Sequence, residues 1–526
     1  MKKLSVILCL ILALSLVAGC GGSSSSSDGN ASSATASAAA STDASASAGT
    51  HDDSVTIALW AEPGTVCGGF TPNTHALLVS WNIFDGLLVY EDDGSWTPKL
   101  ATEWEYTEDG KDIIFTLREG VKFHNGDTVT AEDVVFSFNT IIDAGIAESM
   151  TNAMDHMEKI DDTHVKLVFK DVYGPGLKAA ASFNLPIFSK SAYEADPDGF
   201  GRNPVGAGAY KMEEWKSGEY IKLTAFDDYW DGKASIGTCI FKFFDDESTA
   251  SLALQNGEID VDLQPPTSDA ERLSNDENLQ WLKTMGANTY WIYFNEHEGE
   301  LFDNEDLRLA IAYAINKDDI VAGAINGEGK AIDSIYMDWL EGVPADYKAP
   351  TNDPEKAKEY LAKAGYPDGL EFTVVTSNQA SHYKAMEIVQ SQLANVGITM
   401  NLEKVEFSTW WTDIHEAGNY TMNSTDNMMF MLDMDDAYAL YRGGEFLNFY
   451  GVDDPDLNAA YDAQHFNTDP EERLKAQADI VRVMGDKALV VPLYEWYNFV
   501  AADKDLKGIT AKALYTNHSV HDWSWG

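Results

Sequence analysis

The chain has 526 residues, with 36 Lys+Arg against 85 Asp+Glu and a formal charge of −49 at pH 7. That length is too great for one ordinary core, and 44% hydrophobic with 11% aromatic residues excludes disorder over most of it. Residues 1–50 hold only Lys2, Lys3, Asp28 and Asp43, so the whole acidic surplus lies beyond them, on a surface that repels phosphate backbones and argues against nucleic acid as a partner.

In chain order, Lys2 and Lys3 precede a 15-residue apolar stretch, Leu4 to Ala18, too short for a comfortable membrane span and fitting for an export signal. The stretch ends in Leu16-Val17-Ala18-Gly19-Cys20, which resembles the bacterial lipobox. The resemblance implies removal of residues 1–19 as a signal peptide and lipidation of Cys20, whose acyl chains would anchor the protein to the outer face of the cell membrane. In a two-membrane cell that place is the periplasm. Residues 20–52, nearly all Ser, Ala, Gly and Thr after the Cys, read as a flexible tether. Cys67 and Cys239 then stand in an oxidising compartment, where a bridge between them is left open.

In the body, Ser54–Trp60 alternates as a strand does, and Ile113–Leu117 and Val165–Phe169 are further strands. Thr130 with Asp133 predicts a capped helix through about Ile141. Tyr220–Leu223 and Ile240–Phe244 predict strands, Ser248–Asn256 a helix closed by Gly257, and 259–263 a strand. Leu307, Ala310, Ile311, Ala314 and Ile315 recur at helical spacing. Asp353 caps a helix that ends before Gly365; Leu370–Thr376, His382–Asn395 and Ile398–Val405 follow as strand, helix and strand. Asp469-Pro470 opens a late helix reaching about Gly485, and 488–492 is a short apolar run.

Enzyme signatures are missing. There is no G-x-S-x-G elbow, P-loop or CxxC; His297-Glu298 and His415-Glu416 lack a second zincin His; Gly206 and Gly208 lack the third glycine of a dinucleotide fingerprint. The reading is therefore a non-enzyme with no cofactor and no metal. What stands out is aromatic content, 14 Trp, 23 Tyr and 23 Phe. Aromatic platforms beside carboxylates suit a ligand that carries an amine and apolar groups, with core packing as the competing role.

Several segments then take on a familiar order: Phe84-Asp85-Gly86-Leu87-Leu88, Trp96-Thr97-Pro98-Lys99-Leu100-Ala101, Leu117-Arg118-Glu119-Gly120-Val121-Lys122-Phe123-His124-Asn125-Gly126, Asn203-Pro204-Val205-Gly206-Ala207-Gly208-Ala209-Tyr210, Tyr229-Trp230 and Gly257-Glu258-Ile259-Asp260. In this order the chain resembles the family 5 extracellular solute-binding proteins of ABC importers, the oligopeptide-, dipeptide- and nickel-binding group, over nearly all of 52–526. Ala207 and Ala209 depart from the family's usual G-T-G-P-Y.

The resemblance implies an α/β, periplasmic-binding-protein-like (type II) fold of two lobes closing by a hinge, with an extra inserted domain. Residues 53–84, 203–290 and 487–526 would form domain I, 85–202 domain II and 291–486 domain III, with the ligand between I and III. It also implies a monomer that captures peptides and delivers them to an ABC permease and ATPase complex. Nickel chelates, haem, other amines, sugars, or a signalling role remain alternatives. In the peptide-binding members an Asp in a segment like W-x-x-D-x-x-D-P takes the ligand's α-amino group; Asp433 falls at that position and Asp436 at the second Asp, while Phe430 and Ala437 replace the Trp and Pro. Tyr290 and Trp291 would wall the cleft, Cys67 lies in a loop that borders it, and Trp410 and Trp411 are further wall candidates. Arg442 is the candidate for a ligand carboxylate.

Overall fold

The computed structural model describes residues 53–71, 73–145, 151–182, 184–445 and 447–526. The export signal, Cys20 and the tether lie outside the described residues.

The main sheet runs in the order Met422–Met428, Leu279–Phe294, Val490–Asp503, Val261–Asp262, Ser54–Leu59, Thr238–Phe243, Tyr220–Ala225 and Tyr210–Lys216, with Gly329–Ala331 also pairing Val490–Asp503. Ser54–Leu59 pairs in parallel with Thr238–Phe243, and the helix Glu247–Gln255 follows the latter, as the β-α-β rhythm predicts. A separate antiparallel sheet, Ala101–Tyr106, Ile113–Leu117, His164–Phe169 and Met154–Lys159, lies within the stretch 85–202 that was expected as the inserted part. It carries the helix Ala131–Ala144, whose capping box is complete: Thr130 Oγ1 accepts from Asp133 N and Asp133 Oδ2 from Thr130 N. Beyond residue 291, Leu370–Ser377 and Ile398–Val405 pair in parallel around the helix Ala380–Ala394.

Four clusters of core form among the described residues. Val55, Ile57, Ile221, Leu223 and Phe241 merge with Phe115, Val165 and Leu167 of the antiparallel sheet into one, and Ala250, Leu254 and Ile259 belong to a smaller one. The strand Leu279–Phe294 builds the other two, one on each face. Tyr290, Ile292 and Phe294 pack with Leu307, Ile311 and Val389, while Trp291 and Tyr293 pack with Tyr441, Tyr450 and Ile480. Alternate residues of a strand point to opposite faces, so one strand serves two cores.

Two long strands exceed expectation. Leu279–Phe294 spans 16 residues and Val490–Asp503 spans 14, where only an aromatic pair and a short apolar run were legible. Every residue from Gly286 to Phe294 and from Val490 to Glu495 is buried, so neither shows the alternation that marks a half-buried strand. Cys67 and Cys239 are both buried free thiols, which closes the disulfide question.

Candidate functional site

After the strand Met422–Met428 the chain turns through Leu432, which takes a left-handed φ of 50°, and enters the short turn Met434–Ala437. Asp433 caps that turn, its Oδ1 accepting from Asp435 N at 3.1 Å. The carboxylate has no exposed side-chain surface and two basic partners, Arg473 Nη2 at 2.8 Å and Lys178 Nζ at 3.3 Å. Lys178 comes from the inserted part, donates also to Leu432 O at 3.0 Å and lies over the Tyr90 ring. Burial alone would raise the Asp433 carboxyl, but Arg473 and Lys178 hold it below its ordinary value. The position expected to receive a ligand's ammonium therefore has its countercharge from the chain itself.

The two following carboxyls differ. Asp435 Oδ1 accepts from Gln464 Nε2 and faces His465 Nδ1 at 2.9 Å. Asp436 Oδ2 accepts only from Met431 N, at 2.9 Å, among the described hydrogen bonds. Burial, then the charges of Asp433 and Asp435, raise the Asp436 carboxyl well above its usual range. Asp435 and Asp436 border a cavity of about 460 Å³ between the 152–173 segment and the 427–466 segment, with Tyr173, Phe430, Tyr438 and Leu440 among its walls. A smaller space of about 20 Å³ lies between Trp81, Leu514, Lys178 and Met431.

The other expected wall residues are placed elsewhere. Tyr290 and Trp291 are core: Tyr290 Oη pairs with Ser424 Oγ at 2.7 Å, and Trp291 Nε1 donates to Tyr441 Oη at 2.6 Å. Trp410 is buried against His415, and Trp411, partly exposed, donates to Glu416 Oε1. Cys67 is fully buried, and burial pushes its thiol up to about 12. Arg442 is committed to Asp462, with Nη2 at 3.0 Å from Oδ2, and to Gly443 O. Of the expected set, Asp433 and Asp436 come together at one turn, and Trp410 and Trp411 meet with ring centroids 6.1 Å apart. Lys178 and Arg473 escaped sequence reading: a buried acid demands a cation, but nothing in the spacing says which.

His382 lies between Asp426 Oδ1, 3.0 Å from Nε2, and Ser377 Oγ, 3.2 Å from Nδ1. Ser377 is wholly buried, so this set offers no nucleophile to a substrate. Among the described residues no group of three or more His, Cys, Asp or Glu is arranged to hold a metal ion.

The family model for bacterial extracellular solute-binding proteins, family 5 (middle region), matches residues 95–448. A dipeptide-binding protein of Escherichia coli K12 is 28% identical over 343 residues, 60% of this chain and 64% of that one, so under two thirds of that relative is spanned. The oligopeptide-binding protein AppA of Bacillus subtilis is 26% identical over 460 residues, 81% of this chain and 82% of its own. Among solved structures, the ABC transporter substrate-binding protein CtaP of Listeria monocytogenes superposes with a TM-score of 0.82 at 23% identity, over 90% of this chain and 99% of that one.

Proposed function

From the premise that this chain belongs to the family 5 bacterial extracellular solute-binding proteins, which bind and do not catalyse, we propose that it is the lipid-anchored receptor of an ABC importer. It captures peptides and delivers them to a membrane permease and ATPase complex. Cys20 carries the anchor, residues 20–52 are the leash, and the body acts as a monomer.

The observation that carries the peptide reading is the cavity of about 460 Å³, aromatic and acidic at once. It suits a ligand with an ammonium group and apolar side chains. Relatives named for dipeptide and oligopeptide binding support the same class. The proposed division is 53–84 with 203–290 and 487–526, 85–202, and 291–486. The sheet supports a hinge near 291, because the pairing of Leu279–Phe294 with Val490–Asp503 slips between Met285 and Thr289 and again between Tyr290 and Trp291. Bulged pairing bends more readily than a continuous ladder.

Thermal unfolding of the full chain with a panel of dipeptides to pentapeptides tests the reading. A ligand that binds only the folded state raises the melting temperature, by about 2.7 kcal/mol of stability at a hundredfold excess over Kd. Peptides that shift it support the proposal; a panel that leaves it unmoved contradicts it.

A further inference from the structure

We propose that the segment from Tyr173 to Lys178 is a latch. It reaches from the 85–202 stretch onto the 291–486 lobe, at Met431–Asp433 and at the end of the helix Pro455–His465, and it opens and shuts with the hinge. It rests on the two lobes and hinge of the transport reading, and not on the ligand's identity.

The first observation is how small the apolar seam is. Among the described residues, Met431 is the one buried apolar residue of 291–486 that enters the core cluster of Val55 and Phe115, and Phe430 packs beside it. The long strands Leu279–Phe294 and Val490–Asp503 cross between the lobes through the main sheet. Lobes with little shared core are free to move against each other unless something fastens them.

The second observation is the latch's seat. Gly174 N donates to His465 O at 2.6 Å. A Cβ on Gly174 would lie 2.3 Å from Asn467 O, 2.4 Å from Gln464 O and 2.6 Å from Arg473 Nε. Backbone meets backbone there, so the segment docks only with no side chain at 174.

The third observation is what flanks the seat. Tyr173 sets its ring edge-on to the His465 ring, with centroids 5.1 Å apart, and turns Oη to Met431 Sδ at 3.9 Å. Lys178 Nζ lies 4.6 Å over the Tyr90 ring, donates to Leu432 O at 3.0 Å and stands 3.3 Å from Asp433. Hydrogen bonds, one ion pair and one ring contact break and re-form as a unit, which an interdigitated core does not. Every partner belongs to the chain, so the latch shuts without a ligand.

The test is hydrogen exchange with small-angle X-ray scattering on the full chain, wild type against Gly174→Val and Lys178→Met. Gly174→Val blocks the seat. Lys178→Met removes the ion pair across the seam while Asp433 keeps Arg473 at 2.8 Å, and it decides the matter if Gly174→Val does not fold. In each variant the amides of 171–178 and 464–468 are expected to exchange about tenfold faster and the radius of gyration to grow, while the strands Ile113–Leu117 and Leu370–Ser377 stay protected. Wild-type protection of 171–178 in Lys178→Met overturns the latch. So does faster exchange at an unchanged radius, which marks local fraying. In a second arm, a mixed-sequence pool of tripeptides to pentapeptides, seen bound by native mass spectrometry, is expected to slow exchange at 171–178 in the wild type. Binding without slowing overturns the latch and leaves the peptide reading standing. A pool that does not bind contradicts the peptide reading, and the two variants still decide the latch.

Discussion

Removing the Asp433 carboxylate leaves Lys178 and Arg473 buried together without a countercharge. Breaking a buried pair by deleting one partner costs about 3–5 kcal/mol, so Asp433→Ala is expected to lower the urea midpoint by a corresponding margin. A midpoint unchanged from wild type would mean that the cluster contributes nothing to holding the inserted part against the 433–473 region. The thiols make a second prediction at this scale. Cys67 and Cys239 are buried, free, and raised in pKa by desolvation, so neither reacts with a thiol reagent in the native protein and both do after unfolding. Among the candidate site residues, Asp433 and Asp436 stood in a recognisable segment of the sequence, whereas the cations that pair with Asp433 come from positions 178 and 473, far off in the chain, and only the fold selects them. The aromatic candidates misled for a simpler reason: Tyr290, Trp291 and Trp410 are large apolar surfaces, and burial is their commonest fate.

Gly206 and Gly208 show what a motif means for an element. Gly208 N donates to Ile83 O at 2.9 Å, at the end of the helix Thr74–Ile83. A Cβ on Gly208 would lie 2.6 Å from the Ile83 carbonyl carbon, and one on Gly206 2.1 Å from Ile83 O. The backbone of this segment therefore seats against the helix only without side chains there, while buried Ala207 and Ala209 between and beside them are accommodated. Gly208→Ala is expected to cost about 1–3 kcal/mol, read as a lowered melting temperature; no change would place the helix end under looser packing than the structure shows. Elements with a periodic face, such as Glu305–Ala314 and Pro354–Lys363, were legible because half-burial writes its period into the sequence. The long strands Leu279–Phe294 and Val490–Asp503 were not, because burial on both faces erases it over much of their length.

At the scale of the molecule, buried titratable groups set the pH of greatest stability. Burial pushes the Glu495 carboxyl up to about 7 and the Asp262 carboxyl up to about 6. Each is bound to a proton more tightly in the folded state, so stability rises as pH falls through those values. Burial pushes His124 and His415 down to about 4 and His518 down to about 3. The unfolded chain protonates these imidazoles below roughly pH 6.5 while the folded chain does not, so their contribution to stability is lost as pH falls further. Of these groups only the carboxyls change above roughly pH 6.5, so the melting temperature should fall as pH rises from about 6.5 toward 8, while below that the two sets oppose one another. A curve that climbs steadily to pH 8 would contradict the carboxyl assignments.

The most direct measurement is native mass spectrometry of the full, lipid-anchored protein taken from its own membrane, followed by release and identification of whatever it carries. The account predicts a set of peptide masses with free amino termini. A single non-peptide species, a metal chelate, or peptides with blocked termini would contradict it.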